Sequence, residues 1–245
     1  MNKELLARIR FVLVRTSHPG NIGSAARAMK NMGLASLVLV APKLFPDPQA
    51  NALASGADDL LENARVVGSL AQALSDCVAA YALSARVREW GPAQLGVRDA
   101  AGAALQAASG GQIAFVFGNE AAGLTNDELL VCQSHVRIPT DPGWSSLNLA
   151  QAVQIVAYEL RMVATAGSLS ASPVEPLATV ADLEGLYGHL EQASIESGFL
   201  DPRNPGRLRD RWRRLFARAR PEREEINILR GLLKALLKRR SASRE

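Results

Sequence analysis

The sequence predicts an α/β fold with a mostly parallel sheet, followed by a small all-α unit. In the first two thirds of the chain, short runs of β-branched and aromatic residues alternate with stretches of helical pattern. In the last third, only helical patterns are found. With 245 residues and 48% hydrophobic composition, the chain is long enough to bury a substantial core.

Five apolar runs are predicted to be strands, and their lack of alternation indicates burial on both faces, which is typical of parallel sheets. The predicted strands are 9–14, 37–41, 79–84, 113–117 and 136–138. The predicted helices between them are 23–32, 48–56, 70–77, 98–108 and 125–132. A longer helix at 149–165 has apolar residues at i, i+3 and i+4 spacing, which predicts one buried face.

A Ser/Pro-rich stretch without periodicity, residues 166–178, predicts an extended linker between two units. We therefore expect the α/β domain to span 1–165 and a helical extension to span 179–245. Prolines divide the extension into three predicted helices, which are 180–197, 206–219 and 222–240.

Positive charge is concentrated in the C-terminal part of the sequence, although the whole chain has a formal net charge of only +4. Residues 1–202 have 13 Lys/Arg against 19 Asp/Glu, whereas residues 203–245 have 15 against 5. A basic segment of this kind attracts polyanions because it neutralises phosphates. The pattern favours nucleic acid as the partner, with an acidic protein or a membrane surface as alternatives.

Several function classes have no support in the sequence. No apolar run approaches the roughly 18 to 20 residues of a membrane span, and residues 1–4 lack the apolar segment of a secretory signal. We therefore expect a soluble, cytoplasmic protein with no membrane association. Cys77 and Cys132 have no metal-ligand spacing, so we expect buried thiols and no metal site. The three histidines lie far apart in the sequence, which does not support a Ser/His/Asp hydrolase.

The segment after the first predicted strand, residues 17–33, has the composition of a tight turn and a helix. An apolar stripe on this helix leaves Ser24, Arg27 and Asn31 together on another face. The guanidinium of Arg27 is suited to bind an RNA phosphate in a bidentate manner. The alternative is an exposed helix arginine that pairs with an acidic residue.

The segment after the fourth predicted strand is a Gly-rich turn that contains a carboxylate. Gly118 and Gly123 have the spacing of P-loop glycines, but Leu124 stands where a P-loop has its lysine. Glu120 would also repel phosphates. The turn instead suits a cofactor whose polar parts are an adenosine and an amino acid, or it is only a strand-to-helix turn capped by Thr125.

Residues 138–151 combine two prolines, a glycine, two serines and an asparagine after the last predicted strand. One interpretation is that Ser145 or Ser146 caps the following helix. The other is that this stiff loop, with its backbone and hydroxyl donors, binds a ligand at the end of the sheet, where α/β proteins usually bind theirs.

Together, three motifs resemble motifs one, two and three of the SPOUT-class (TrmH-like) RNA ribose methyltransferases. They are 21–27 (NIGSAAR), 117–124 (FGNEAAGL) and 145–152 (SSLNLAQA). Three segments of the extension are similar to the C-terminal extension of the TrmJ family within that class. They are 182–187, 214–221 and 225–231. The resemblance therefore covers nearly the whole chain.

The resemblance implies that the C-terminal part of the sheet forms a trefoil knot, an exception to the usual rule against knots. It also implies S-adenosylmethionine as cofactor, and a homodimer that contacts RNA with both subunits. The cofactor-binding residues carried over to this sequence are Leu83, Ser84, Ala85, Gly118, Gly123, Leu124, Ile138, Ser145, Ser146, Leu147 and Asn148.

The TrmJ resemblance further implies methylation of the 2′-hydroxyl of cytidine or uridine at tRNA position 32, with the anticodon stem-loop as partner. In this interpretation Asn21 and Arg27 hold the RNA phosphate and ribose. Ser146 orients the target hydroxyl or the cofactor, and Glu120 shapes the site. Since an arginine side chain stays charged, we expect Arg27 to align the substrate rather than to remove its proton.

Three other hypotheses are retained. The first is a 2′-O-methyltransferase of the same fold that acts on ribosomal RNA or on another tRNA position. The second is a catalytically silent RNA-binding protein, which the presence of Arg27, Glu120, Ser146 and Asn148 disfavours. The third is a nucleotide-binding module with a protein partner. Transfer of a labelled methyl group to RNA distinguishes the enzymes from the others.

Overall fold

The structure, a computed structural model, describes residues 3–85, 93–166 and 176–242. The strands are β1 Ile9–Val14, β2 Ser36–Val40, β3 Arg65–Val67, β4 Cys77–Leu83, β5 Ala93–Gly96, β6 Gln112–Phe117 and β7 Ser134–Arg137. Within the described ranges these seven strands form one parallel sheet in the order β3-β2-β1-β6-β4-β7-β5.

Helices connect the strands and continue beyond the last of them. Those of the α/β part are α1 Lys3–Ala7, α2 Pro19–Asn31, α3 Pro48–Ala54, α4 Asp58–Glu62, α5 Leu70–Leu74, α6 Val97–Ala107, α7 Asn126–Val131 and α8 Leu149–Thr165. Those of the C-terminal extension are α9 Val180–Ser197, α10 Leu208–Ala219 and α11 Arg223–Ala242. The predicted α/β fold with a helical extension is confirmed.

All five predicted strands are present, and their ends differ from the prediction by two residues or fewer. β1 shows why they were recognisable, since all six of its residues are buried. It lies between β2 and β6, with Phe11 aligned with Leu37 on one side and with Phe115 on the other. A strand that is buried on both faces and paired on both edges has a continuous apolar sequence.

Four short elements, α1, α4, β3 and β5, were not predicted. β3 and β5 have three and four residues and lie at the two edges of the sheet. Arg65 and Val66 of β3 are exposed, so this strand lacks the apolar run that marks the central strands. Edge strands of this length depend on pairing with a distant part of the chain, and local sequence does not show that pairing.

Helices cover both faces of the sheet, so the core has two layers. On one face Phe11 packs in a cluster with residues of α2, α6 and α8, among them Ile22 and Leu160. On the other face Val12 packs in a second cluster with residues of α5 and α7. Val180, the first residue of α9, is 3% exposed and belongs to this second cluster. The extension is therefore docked on the α/β part.

The extension also has a small core of its own, in which Leu186, Tyr187 and Ile226 are buried against Trp212 and Phe216. The described backbone next to α9 is paired as well, because the amide of Ala178 donates to the carbonyl of Pro221. Residues 167–175 of the predicted linker lie outside the described residues.

Two further expectations concern the state of the two cysteines and the presence of membrane-spanning helices. Cys77 and Cys132 are both buried and neither forms a disulfide, as predicted. Burial raises the pKa of Cys77 to about 12 and also raises that of Cys132, so both are protonated thiols. In the described part of the chain, no helix combines the length and the apolar character needed to cross a bilayer.

α2 begins at Pro19, four residues earlier than predicted, because proline fits the first turn of a helix. Its predicted apolar stripe is confirmed, since Ile22 and Met29 are fully buried. Gly23 lies where α2 crosses α3. A Cβ atom at this position would be 2.0 Å from the carbonyl oxygen of Ala50, so the two helices approach as closely as backbone allows.

The close approach predicts that Gly23→Ala destabilises the protein by about 1–3 kcal/mol, because the helices must separate to admit a methyl group. Gly102→Ala is the matched control, since Gly102 lies inside α6 and its Cβ would meet nothing within 4 Å. The control is expected to gain about 0.5–1 kcal/mol. Urea unfolding of both variants tests this, and equal stabilities would contradict it.

Candidate functional site

Three loops meet at one edge of the sheet because the strands that precede them are parallel. Ser84 and Ala85 follow Leu83, the last residue of β4, Gly118–Leu124 follow β6, and residues 138–148 join β7 to α8. The amide of Ser84 donates to the carbonyl of Val136 at 3.1 Å, which joins the first of these loops to β7.

A cavity of about 320 Å³ lies between these loops, within the range of small-molecule sites in proteins. Ten of the eleven predicted cofactor residues line it, Asn148 being the exception. The remaining lining residues are Phe117, Asn119, Glu120, Ala121, Ala122, Val136, Leu149 and Ala152, of which Glu120 was predicted to shape the site. All of them except Val136 lie within the second and third motifs, 117–124 and 145–152.

The loop after β6 is folded back on itself by two glycines. Gly123 has φ +70°, which side-chain-bearing residues rarely adopt. A Cβ atom on Gly118 would lie 2.2 Å from the carbonyl carbon of Gly123, so only glycine fits there. The amide of Gly123 donates to the carbonyl of Asn119 at 2.8 Å and closes the turn. The cavity wall at this point is therefore backbone.

The carboxylate of Glu120 connects this loop to the start of α2. Ser17 donates to Glu120 Oε2 twice, from its amide at 2.9 Å and from its hydroxyl at 2.8 Å. Asn21 Nδ2 donates to Glu120 Oε1 at 2.9 Å. The predicted residues Asn21 and Glu120 are thus direct partners, whereas Ser17, which also holds the carboxylate, was not predicted to be functional.

Partial burial by itself raises the pKa of Glu120, but the hydrogen bonds from Asn21 and Ser17 act in the opposite direction and dominate. The resulting pKa is about 2. Glu120 is therefore ionised throughout the physiological range, and its oxygens already accept protein donors. It is suited to fix the loop and unsuited to act as a general base.

Asn148 extends the same network to the third loop, since its Nδ2 donates to Asn21 Oδ1 at 3.0 Å. Its own Oδ1 accepts from the amides of Ala150 and Gln151, so Asn148 is the N-cap of α8. The interpretation that Ser145 or Ser146 caps this helix is wrong. Both serines instead line the cavity, with Ser146 exposed to solvent.

Arg27 lies in the third turn of α2, about 12 Å along the helix from Pro19. It is exposed, and neither a hydrogen bond nor an ion pair joins it to the part of the chain that the structure describes. The alternative in which it pairs with an acidic residue therefore finds no partner among those residues. Arg27 does not line the cavity.

A second contact fixes the turn between β1 and α2 to the loop after β6. The guanidinium of Arg15 forms an ion pair with Glu128, and Asn119 Nδ2 donates to the carbonyl of Arg15 at 2.6 Å. Glu128 is also the partner of Thr125 in a capping box at the start of α7. The capping interpretation and the cofactor interpretation of this motif are thus compatible.

The cavity fits the cofactor that the family resemblance implies. Apolar side chains such as Leu83, Val136 and Ile138 provide a surface for a flat base, and hydroxyl and main-chain groups surround them. Among the described residues that line the cavity, Glu120 is the only charged one, so none of them would neutralise a row of phosphates. Among residues 3–85, 93–166 and 176–242, no three His, Cys, Asp or Glu side chains are grouped to hold a metal.

Comparison with known families gives matches for both parts of the chain. The SpoU rRNA Methylase family matches residues 8–158, and the C-terminal domain of the tRNA methyltransferase TrmJ matches residues 181–245. The tRNA (cytidine/uridine-2'-O-)-methyltransferase TrmJ of Pectobacterium atrosepticum is 51% identical over 243 residues, covering 96% of this chain and 98% of the relative. The tRNA (cytidine/uridine/adenosine-2'-O-)-methyltransferase TrmJ of Pseudomonas aeruginosa is 50% identical over 240 residues, covering 94% and 93%.

Solved structures with the same fold include TrmJ from Z. mobilis ZM4, with a TM-score of 0.81 and 37% identity over 93% of this chain and 98% of that chain. A more distant one is the SpoU methyltransferase AviRb from Streptomyces viridochromogenes, solved in complex with AdoMet. It has a TM-score of 0.53 and 23% identity, and the match covers 64% of this chain and 58% of that chain.

The hydrogen bonds to Glu120 predict a pH-dependent loss of stability in Glu120→Gln. Its pKa is near 4.5 in the unfolded chain and about 2 in the folded protein. The stabilisation is therefore complete above pH 4.5 and is lost as the pH falls toward 2. At neutral pH we expect Glu120→Gln to lose about 1–2 kcal/mol, since partial exposure weakens the interaction.

Urea unfolding between pH 7 and pH 3 measures this difference. Glu62→Gln, at an exposed position at the end of α4, is the control and should have little effect at either pH. A difference between wild type and Glu120→Gln that stays constant down to pH 3 would show that the carboxylate is not held as described.

Proposed function

Because the chain belongs to the SpoU methylase family and, with its C-terminal unit, to the TrmJ group of the SPOUT class, we propose that it methylates tRNA. The methyl group comes from S-adenosylmethionine, and the acceptor is the 2′-hydroxyl of cytidine or uridine at position 32 in the anticodon loop. The observation that carries this proposal is the cavity at one edge of the sheet, which is lined by the second and third motifs and the loop after β4, while Asn21 of the first motif binds its lining residue Glu120.

S-adenosylmethionine is held by the cavity and supplies a methyl group that its sulfonium already activates. Leu83, Val136 and Ile138 would hold the adenine, and the backbone of Gly118–Leu124 would hold the polar part. The complex of AviRb with AdoMet supports this choice of cofactor, since that protein has the same fold.

The residues of the chain act mainly by positioning, because the methyl group is already reactive. Ser146 is exposed at the cavity and orients the target hydroxyl. Arg27 is exposed and has no partner among the described residues, so its guanidinium is available to bind an RNA phosphate in a bidentate manner. Asn21 is already engaged by Glu120 and Asn148, so it holds the loops around the ribose and is not a free ligand.

The proposal includes a trefoil knot, a homodimer and a location in the cytoplasm. The knot is supported by β7, which lies between β4 and β5, and by residues 138–148, which share one cavity with the loops after β4 and β6. The homodimer is supported by Tyr158 and Met162, one turn apart on α8, which expose 47% and 39% of their surface. Sedimentation analysis of the purified protein tests the dimer.

Transfer of tritium from labelled S-adenosylmethionine to unmodified tRNA tests the reaction. Nuclease digestion and mass spectrometry then identify the nucleotide, which we expect to be residue 32. Ribosomal RNA should be assayed in parallel, because the family that matches the α/β part is described as rRNA methylases. A tRNA with adenosine at position 32 should also be assayed, since the Pseudomonas aeruginosa relative is named for all three nucleosides. No incorporation into any RNA would refute the proposed function.

Arg27→Ala is expected to lower kcat/KM for tRNA by about 100-fold, because substrate alignment is lost. The affinity for S-adenosylmethionine should not change, since Arg27 does not line the cavity. Arg27→Lys, which keeps the charge but not the planar fork, should retain part of the activity. Full turnover of Arg27→Ala with tRNA would show that Arg27 neither binds the phosphate nor aligns the ribose.

A further inference from the structure

The arginines of α10 fall into two groups. Arg209 and Arg213 face α9, where they form ion pairs with Glu191 at 3.7 Å and with Glu184. The guanidinium of Arg213 also lies 4.8 Å from the centre of the Tyr187 ring. These arginines are neutralised by the extension itself, and their role is to hold α9 and α10 together.

Arg211, Arg214 and Arg218 lie on a different face of α10 and are exposed. No hydrogen bond or ion pair joins their guanidinium groups to the residues that the structure describes. Together with Arg207 they follow spacings of four, three and four residues, so they form one row about 16 Å long. We call these four residues the arginine row.

The arginine row forms one wall of a cleft of about 770 Å³. The opposite wall belongs to α7, which contributes Asn126, Asp127, Leu129 and Leu130. Two residues before Asn126, Leu124 lines the cofactor cavity. The cleft and the cavity thus lie beside the same short segment of chain.

We propose that the arginine row binds the phosphate backbone of the tRNA at nucleotides other than the methylated one. This inference rests on the proposed function and assigns one face of the extension to the substrate. Guanidinium groups bind phosphates in bidentate geometry, and a row of this length spans several phosphates of an RNA strand. RNA is favoured over an acidic protein because the cleft adjoins the cavity at which RNA is the proposed substrate.

The test compares two double variants of the full-length protein that lose the same charge. R211A/R214A removes two arginines of the row that have no partner among the described residues. R203A/R209A removes two arginines that pair with Asp201 and Glu191 elsewhere in the extension. In titrations with unmodified tRNA, we expect R211A/R214A to bind about 10-fold or more weakly and R203A/R209A to bind like wild type. The slope of log affinity against log salt is negative, and it should become shallower by about 1.4 to 1.8 in the first variant only.

A third variant tests whether removal of a negative charge from the cleft has the opposite effect on tRNA affinity. Asp210 lies in the same cleft, so D210N should strengthen tRNA binding, because it removes a charge that repels phosphate. Equal affinity and salt slope in R211A/R214A and wild type would overturn the inference and leave the row for another polyanion, such as an acidic protein. Methyl transfer by the wild-type protein is measured in parallel, so a failure of the proposed function would be recognised separately.

An independent observation concerns Trp144, which is 82% exposed. It stands directly before Ser145, Ser146 and Leu147, which line the cofactor cavity. Its backbone is fixed, since its amide donates to the carbonyl of Asp141 at 3.0 Å, and Asp141 Oδ1 accepts from Gly143 at 2.8 Å. A large aromatic ring is therefore presented to solvent on a braced turn at the site.

We infer that the indole of Trp144 stacks on an RNA base in or beside the target nucleotide. Single-stranded loops expose the faces of their bases, and stacking on aromatic side chains is a common way to bind them. The residue is a positioning residue in this role, because it holds the nucleotide and takes no part in bond making.

W144A is expected to raise KM for tRNA about 5-fold to 150-fold, and W144F should restore most of the loss. Binding of S-adenosylmethionine alone is the control. If the ring only supported the structure of the loop, W144A would weaken the binding of this cofactor as well. Unchanged KM in W144A, or a loss of cofactor binding equal to the loss for tRNA, would overturn the inference.

Discussion

The carboxylate of Glu120 accepts hydrogen bonds from the amide and hydroxyl of Ser17 and from the side chain of Asn21, which fixes the loop after β6 to the start of α2. Asn148 then joins Asn21 to the start of α8. Three segments that are distant in sequence are thus held by one anion with a strongly lowered pKa. Without this anion, the polar groups around it would lose their common acceptor, and the cavity would lose its geometry.

The parallel sheet places this network at the edge of the sheet where the cavity lies. Because the strands are parallel, the loops after β4, β6 and β7 all lie at one edge, and the glycines of the second loop let backbone approach backbone. The helices on the two faces have different origins. One face is covered by α2, α6 and α8, whereas the other is completed by Val180 of the extension.

Much of the fold could be predicted because the central strands are buried on both faces and therefore have continuous apolar sequences. The edge strands β3 and β5 could not, since they are short and depend on pairing with distant segments. The loops of the site were found as motifs. The contact between Asn21 and Glu120 spans 99 residues of sequence, and Ser17 has no local feature that marks it as a partner. Local pattern also suggested serines as the cap of α8, although Asn148, whose side chain accepts from the amides of Ala150 and Gln151, performs that role.

The docking of α9 through Val180 has a consequence for how the extension works. A domain on a flexible tether raises the local concentration of its ligand over a range of distances. A domain that shares a core with the catalytic part keeps one distance. Under the proposed function, RNA bound by such a unit would present to the cavity the nucleotide at a fixed separation from the bound backbone, so position along the RNA would select the target more than the identity of its base.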